Sequence, residues 1–366
     1  MSLKKDKFNS LDKKYMRFAI NLASNNNGLT GTNPSVGCVV VKNKEIISYG
    51  STKINGRPHA EIIALRKNKK KIFGSLLYVT LEPCSHFGKT PPCTKSIIKS
   101  KVKKVNYSIE DLDYRTFNKS KKILKSNKII TKSGLLKNET KVIYKKYNYI
   151  KKNNYPYITG KLACSSNFYI LKNNSLITNV HSRSVSHLLR YKNHGILTSY
   201  KTINSDNPKL NCRISGLEKF SPKRIILDKN LKIKMNTYIM MSSKKIKTLI
   251  FHNSKNKKKI KKIKNKGIKL IYLDVKNNGD FNLKEVIKII YNNGIHNLLV
   301  EFGKDLTQKM ISEKLFNEFY LFRSGKNLYN KEKINVSNIN KQLIKNFKTF
   351  KYVNTYLDKD KLIHYY

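Results

Sequence analysis

The segment His59-Ala60-Glu61, followed by Pro83-Cys84 and then Cys93, constrains this chain more than any other feature. It offers one imidazole, two thiols and a spare carboxyl. A fold that uses them must bring three separate segments close enough to share an ion. Zinc held by His59, Cys84 and Cys93 would keep one position open for water, which is the mark of a hydrolytic site rather than a structural one. Glu61 follows His59 by two residues in a first helical turn, near enough to carry protons without ligating the metal. Such a set suits attack of activated water on an amidine-like ring carbon, with the acid passing a proton to departing ammonia.

The bare pattern H-x-E followed by P-C-x-x-C is that of zinc nucleobase deaminases. Here eight residues rather than two separate the cysteines, so the match is to the chemistry and only partly to the spacing. The competing expectation is a closed structural zinc with His86 as fourth ligand, or a buried His and Cys that never meet metal. Cys38, inside a valine-rich run, reads as a small core residue, and Cys164 and Cys212 read the same way.

At 366 residues the chain exceeds one comfortable core, so two domains are expected. Five cysteines do not make a disulfide framework, and thiolate ligands need a reducing compartment, which predicts the cytoplasm. No apolar run is long enough to cross a bilayer, and residues 1–10 lack the apolar core of a signal peptide. The formal charge of +54 comes mostly from lysine spread end to end among Asn and Ile. Arg, the preferred base-reading residue, is scarce, so we read a lysine-biased composition and expect no nucleic-acid partner. An anionic substrate remains compatible with that charge.

Apolar spacing predicts a helix over Tyr15–Ser24, and strands over Val36–Val41 and Glu45–Tyr49 joined by a Lys42-Asn43-Lys44 turn. Pro58 is expected in the first turn of a helix running to Lys67. A strand over Leu76–Thr80 leads into Glu82-Pro83-Cys84, then come a helix over Cys93–Ser100 and a strand over Lys103–Ser108. The prolines before Cys84 and Cys93 are expected to place both at strand-to-helix corners. Asn138–Tyr155, rich in Lys, Asn and Tyr, reads as the end of a helix plus a linker, which sets domains at residues 1–147 and 148–366. The second half repeats the alternation. Strands are expected at Tyr157–Leu162, Gly195–Ser199, Arg224–Asp228, Lys247–His252, Lys269–Asp274, Asn297–Glu301 and Glu318–Phe322. Helices are expected at Ser182–Tyr191, Leu283–Tyr291 and Leu306–Leu315, with Asn256–Lys266 an exposed helix or loop. The class is α/β.

Three segments taken together resemble the bacterial bifunctional riboflavin-biosynthesis deaminase/reductase family. They are Asn33-Pro34-Ser35-Val36-Gly37, His59-Ala60-Glu61, and the run Thr80-Leu81-Glu82-Pro83-Cys84-Ser85-His86-Phe87-Gly88-Lys89-Thr90-Pro91-Pro92-Cys93. The last also accounts for the long cysteine spacing. The second half matches at Tyr157–Ala163, Leu188-Leu189-Arg190, Gly195–Ser199, Thr202, Asp206-Asn207-Pro208, Leu210, Arg213 and Val300–Gly303. The resemblance implies a cytidine-deaminase-like three-layer domain followed by a dihydrofolate-reductase-like domain. It implies zinc on His59, Cys84 and Cys93, proton transfer by Glu61, and a pyrimidine ribose phosphate at Asn33, His86 and Lys89. For the reductase it implies substrate contacts at Asn174, Arg190, Leu210, Arg213 and Glu301. NADPH contacts are implied at Ala163, Leu176, Thr202, Asp206, and the segment Gly303, Lys304, Asp305, Leu306 and Thr307. A helix start at Gly303 would present backbone N–H groups to a cofactor phosphate.

Departures from the family fall mostly in the second half. Ser165-Ser166-Asn167-Phe168 stands where the family has S-L-D-G, Asn174 and Leu176 stand for serine and tryptophan, and Phe302 replaces a small residue. Glu110-Asp111-Leu112-Asp113 lacks the usual proline and the following glycine pair. The expected activity is deamination of 2,5-diamino-6-ribosylamino-4(3H)-pyrimidinone 5′-phosphate followed by NADPH reduction of the ribosyl chain. The rival expectations are a deaminase whose second half survives only as a structural module, and a nucleic-acid base deaminase. A homo-oligomer is compatible with the sequence but not dictated by it.

Overall fold

Cys38, Val39, Val40 and Val41 are all buried, so the strand they form, β1 (Gly37–Lys42), is covered on both faces. The structure, a computed structural model, describes residues 8–67, 71–171, 176–329 and 333–366. It divides into two compact units, residues 1–154 and 155–366.

In the first unit α1 (Ser10–Asn25) precedes β1 and starts at a capping box formed by Asn9 and Asp12. There follow β2 (Glu45–Ser51), α2 (Ala60–Arg66), β3 (Leu76–Leu81), α3 (Cys93–Lys99), β4 (Lys104–Ile109), α4 (Lys119–Ser126), β5 (Ile130–Ser133) and α5 (Lys137–Asn153). The sheet order is β2-β1-β3-β4-β5; β1 is antiparallel to both neighbours, and β3, β4 and β5 are parallel. Because side chains alternate along a strand, Val39 and Val41 pack with Met16, Ala19 and Ile20 of α1, while Cys38 and Val40 join Ala60, Ala64 and Ile97. The helices come this close because two strand positions lack a Cβ. One built on Gly37 would lie 1.9 Å from the Ala19 carbonyl oxygen, and one on Gly50 would lie 2.5 Å from that of Ala60.

The β1–β2 turn places Asn43 and Lys44 at φ 50° and 63°, the left-handed pair that suits a two-residue hairpin. Three expectations need correction. His59 is the N-cap of α2, so Pro58 lies just before the helix rather than in its first turn. Cys93 opens α3, but Cys84 lies in the loop after β3 and not at a helix start. The expected linker is helical, since α5 runs to Asn153 with Thr140, Tyr144 and Ile150 buried at helical spacing. Most of its Lys and Asn residues form the exposed face of a helix, with Lys146, Asn148 and Lys151 half-buried, and do not mark a change of domain. α4 and β5 were not expected.

The second unit contains β6 (Tyr157–Cys164), β7 (Tyr169–Leu171), α6 (Val180–Tyr191), β8 (Gly195–Ser199), α7 (Tyr200–Asp206), β9 (Lys223–Leu227), α8 (Tyr238–Met241) and β10 (Thr248–His252). It continues through α9 (Lys257–Lys264), β11 (Lys269–Tyr272), α10 (Leu283–Asn292), β12 (Asn297–Val300), α11 (Lys304–Ser312) and β13 (Glu318–Arg323). It closes with β14 (Lys333–Asn335), α12 (Ser337–Asn346), β15 (Phe350–Tyr352) and β16 (Lys361–Tyr365). The main sheet runs β11-β10-β9-β8-β12-β6-β13-β16-β15, parallel as far as β13 and antiparallel at β16 and β15. α10 shows how a helix covers it: Leu283, Val286, Ile287 and Ile290 form one buried stripe. The central strands β8, β12 and β6 end side by side, the usual place for a ligand on a parallel sheet. α11 starts two residues before the expected Leu306 and stops at Ser312. The run from Asn256 is a helix capped by Asn256 with Ile263 buried.

Candidate active sites

In the first unit β3 and the starts of α2 and α3 converge. His59, as N-cap of α2, Cys84, after β3, and Cys93, first in α3, place one ligand atom each within 4.8 Å of one another. His59 Nδ1 lies 3.3 Å from Cys93 Sγ and 3.6 Å from Cys84 Sγ. Separations of this size are what a single ion with bonds of roughly 2.0–2.3 Å would bridge. His86 is outside the group; its Nδ1 meets Thr116 Oγ1 at 3.1 Å. The donor set among the described residues is therefore three, as a hydrolytic site requires.

Local charge supports the same reading. The hydrogen bond between the two cysteine side chains holds the Cys84 thiol down at about 4, with His59 and the Cys93 backbone N–H, which donates to Cys84 Sγ at 3.2 Å, adding to the effect. The same contact pushes the Cys93 thiol up, as does its burial. The hydrogen bond with Cys84 raises His59. Glu61 is 3% exposed, and burial pushes its carboxyl above the ordinary range against the pull of His59. His59 Nε2 is buried with no hydrogen-bond partner among the described residues.

The remaining predicted residues of this unit lie on loops. The Asn33 side-chain amide donates to the Gly56 carbonyl at 2.9 Å, and the Asn33 backbone carbonyl accepts from Thr30 Oγ1 at 2.7 Å. Lys89 is exposed, on the loop between His86 and Cys93. Arg57, which the sequence did not single out, hydrogen-bonds Thr90 from across this loop. Glu82 is a second residue missed. Its carboxylate accepts from the backbone N–H groups of Asp111, Asn118 and Ser120 at 3.3, 3.1 and 3.2 Å and from Ser120 Oγ at 2.7 Å, which pins the loop after β4 beside the metal strand.

In the second unit a cavity of about 1000 Å³ opens at the ends of β6, β8 and β12. Ala163, Leu176, Arg190, Thr202, Asp206, Leu210, Arg213, Glu301, Gly303, Lys304, Asp305 and Leu306 all line it. Thr307 does not, because its hydroxyl is turned back to the Gly303 carbonyl at 2.8 Å. Asn174 lies outside the described residues. Arg190 grips Glu301 with two parallel bonds of 2.9 Å, and this partner and Lys161 hold the buried carboxyl down at about 2 despite its burial. Gly303 caps α11, and a Cβ there would meet nothing within 4 Å, so the helix start faces open space.

Lys161 and His187 also line the cavity and were not foreseen. His187 and Arg190 lie on one face of α6 with Arg183, at i, i+4 and i+7, a spacing that could have revealed them. Asn167, which takes the place of the family's acid, is hydrogen-bonded through both atoms of its amide. Asn167 Oδ1 accepts from Ser165 Oγ at 2.6 Å and Leu328 N–H at 3.0 Å, and Nδ2 donates to the Leu328 carbonyl at 3.0 Å. Phe168 adopts φ 59° and lies under Arg323, whose guanidinium sits 4.5 Å from the ring centroid.

Residues 9–109 match the family model for the cytidine and deoxycytidylate deaminase zinc-binding region, and residues 160–328 match the RibD C-terminal domain. The riboflavin biosynthesis protein RibD of Aquifex aeolicus is 34% identical over 325 residues, covering 86% of this chain and 87% of the relative. That of Bacillus amyloliquefaciens is 31% identical over 315 residues, covering 85% and 84%. Acinetobacter baumannii RibD superposes with a TM-score of 0.83 at 25% identity, covering 97% of this chain and 98% of that one. A Thermotoga maritima diaminohydroxyphosphoribosylaminopyrimidine deaminase/5-amino-6-(5-phosphoribosylamino)uracil reductase does so with a TM-score of 0.80 at 26% identity, covering 97% and 98%. The chain thus belongs to the RibD family, as a bifunctional riboflavin-biosynthesis enzyme that joins a zinc-dependent deaminase to an NADPH-dependent reductase.

Proposed function

We propose that the first unit removes the ring amine of 2,5-diamino-6-ribosylamino-4(3H)-pyrimidinone 5′-phosphate, and that the second reduces the ribosyl chain of the product to ribityl. The observation that carries the first step is the three-ligand group His59, Cys84 and Cys93 beside a buried Glu61. Zinc held there supplies Lewis acidity and makes water a nucleophile near neutral pH. Glu61 takes the proton of the attacking water on its carboxylate and delivers it to the departing nitrogen, so that the ring gains oxygen and ammonia leaves. Its burial favours this, because a carboxyl pushed up in pKa both accepts and returns a proton readily. Asn33 and His86 border the pyrimidine, and Lys89, exposed on its loop, meets the phosphate as a point charge.

For the second step, NADPH supplies a hydride. The Arg190–Glu301 pair fixes two polar groups at the cavity wall, and Arg213 adds positive charge for the substrate phosphate. The exposed helix start at Gly303 fits a cofactor phosphate, Lys304 adding a positive charge and Asp305 a negative one in the first turn. Ala163, Leu176, Thr202 and Asp206 complete the cofactor side of the cavity.

The substrate is a small pyrimidine phosphate rather than a polynucleotide, a reading supported by a second unit given over to a separate cavity. No helix among the described residues is long and apolar enough to cross a membrane. The five cysteines are all free, which supports a reducing cytoplasm. Glu61→Gln is the test of the first step. Zinc content, measured by atomic emission, should stay at one per chain, while ammonia release falls at least a hundredfold. Undiminished release would remove Glu61 from the proton path.

A further inference from the structure

Three side chains on one face of α5 bind the loops that flank the deaminase site. Tyr144, Tyr147 and Lys151 lie at i, i+3 and i+7. The Tyr144 hydroxyl donates to the Ser35 carbonyl at 2.9 Å and shares a 2.7 Å bond with Thr80 Oγ1, which in turn accepts the Gly37 N–H at 3.0 Å. Tyr144 therefore ties the segment after Asn33 to the metal strand.

One and two turns further on, the contacts move to the loop after β4. The Tyr147 hydroxyl donates to Asp111 Oδ1 at 2.8 Å, an oxygen that also accepts the Asp113 N–H at 3.0 Å. Lys151 Nζ donates to Asp113 Oδ2 at 2.8 Å. The same carboxylate takes Arg115 Nε at 2.8 Å and Nη2 at 2.6 Å, and its side chain is 6% exposed. The Asp113 carbonyl accepts the Thr116 N–H at 2.8 Å, and Thr116 Oγ1 meets His86 Nδ1 at 3.1 Å. The Arg115 carbonyl also accepts from Ser85 Oγ at 3.3 Å. An unbroken path of short polar contacts thus leads from Lys151 to the His86 ring. It runs through the segment where the family's proline and glycine pair are missing.

We propose that Lys151, with Tyr147, is a positioning residue for deamination: it locks the turn over residues 111–116 so that Thr116 holds the His86 ring toward the pyrimidine phosphate. Charge pairing here supplies the stiffness that a proline would otherwise give. The inference rests on the reading that His86 borders the substrate.

The test uses the full-length, zinc-loaded protein and the diaminopyrimidine ribose phosphate. Lys151→Met keeps the length and apolar stem but removes the ammonium. It should raise KM for deamination about three- to tenfold, with kcat, zinc content and NADPH-dependent turnover within about twofold. Lys151→Arg should restore most of the KM, and the isosteric Tyr147→Phe should shift KM in the same direction. Because the effect passes through His86, Lys151→Met should add nothing in a His86→Ala background. An unchanged KM in Lys151→Met, a joint loss of kcat and zinc, or effects that multiply in the double variant would each overturn the proposal. If His86→Ala itself leaves KM unchanged, the reading of His86 falls and takes the proposal with it. If only Lys151→Met is silent, the reading of His86 stands.

Discussion

Burial sets the charge of single residues in both units, and His187 shows the consequence most simply. Its imidazole is held at about 4 by burial, and then by Arg190 and Arg213. Nδ1 lies 3.1 Å from the Asn211 carbonyl, so the neutral ring must carry its proton there. Between about pH 4 and 6.5 the unfolded chain binds a proton that the fold does not. The stability this group contributes is therefore complete above about 6.5 and is lost as pH falls toward 4. Going from pH 7.5 to 5, urea unfolding of the protein should lose about 2 kcal/mol more than that of His187→Gln. Equal losses would mean that the ring is protonated in the fold. At this scale the metal group was legible because its residue types are rare together and closely spaced. Lys161 and Arg57 were not, since each is an ordinary residue whose meaning comes from neighbours remote in sequence; His187 carried a signal only in its helical spacing from Arg183 and Arg190. At Asn167, which takes the place of the family's acid, the fold uses an acceptor and a donor, both of which an amide provides.

At the scale of elements, period-two and period-3.6 patterns located the core strands and most of the helices that carry the sites. They missed α12 and the largely buried β16 at the end of the chain, and they failed where burial is thin. α4 buries only Ser120 and Leu124, β5 only Thr131, and the edge strand β15 is wholly exposed, so none offers a hydrophobic rhythm to read. α5 misled for a related reason: its many Lys and Asn residues mask a buried stripe of Thr140, Tyr144 and Ile150 that holds a single aliphatic residue. Close approach of helix to strand is a sharper property of the fold. Gly37→Ala would drive a methyl to 1.9 Å from the Ala19 backbone, which no rotamer change can relieve. We expect destabilisation of about 3 kcal/mol or more by urea unfolding, accompanied by loss of ammonia release as α1 and β1 separate. A variant of unchanged stability would contradict this packing of α1 on the sheet.

For the whole molecule, two units with two sites match two successive reactions on one substrate skeleton. The charge of +54 points to none of this; it is spread over the surface, and the helix Lys257–Lys264 buries a single residue, Ile263. The division fell seven residues beyond the expected boundary, at residue 154 rather than 147, because composition changes along α5 before the fold does. The most direct measurement is incubation of purified, zinc-loaded protein with the diaminopyrimidine ribose phosphate, with and without NADPH, resolving the products by mass. Without NADPH the deaminated ribosyl compound should accumulate together with ammonia. With NADPH it should give way to the ribityl compound as the cofactor is oxidised. Recovery of unchanged substrate in both arms, or reduction without prior release of ammonia, would contradict the account.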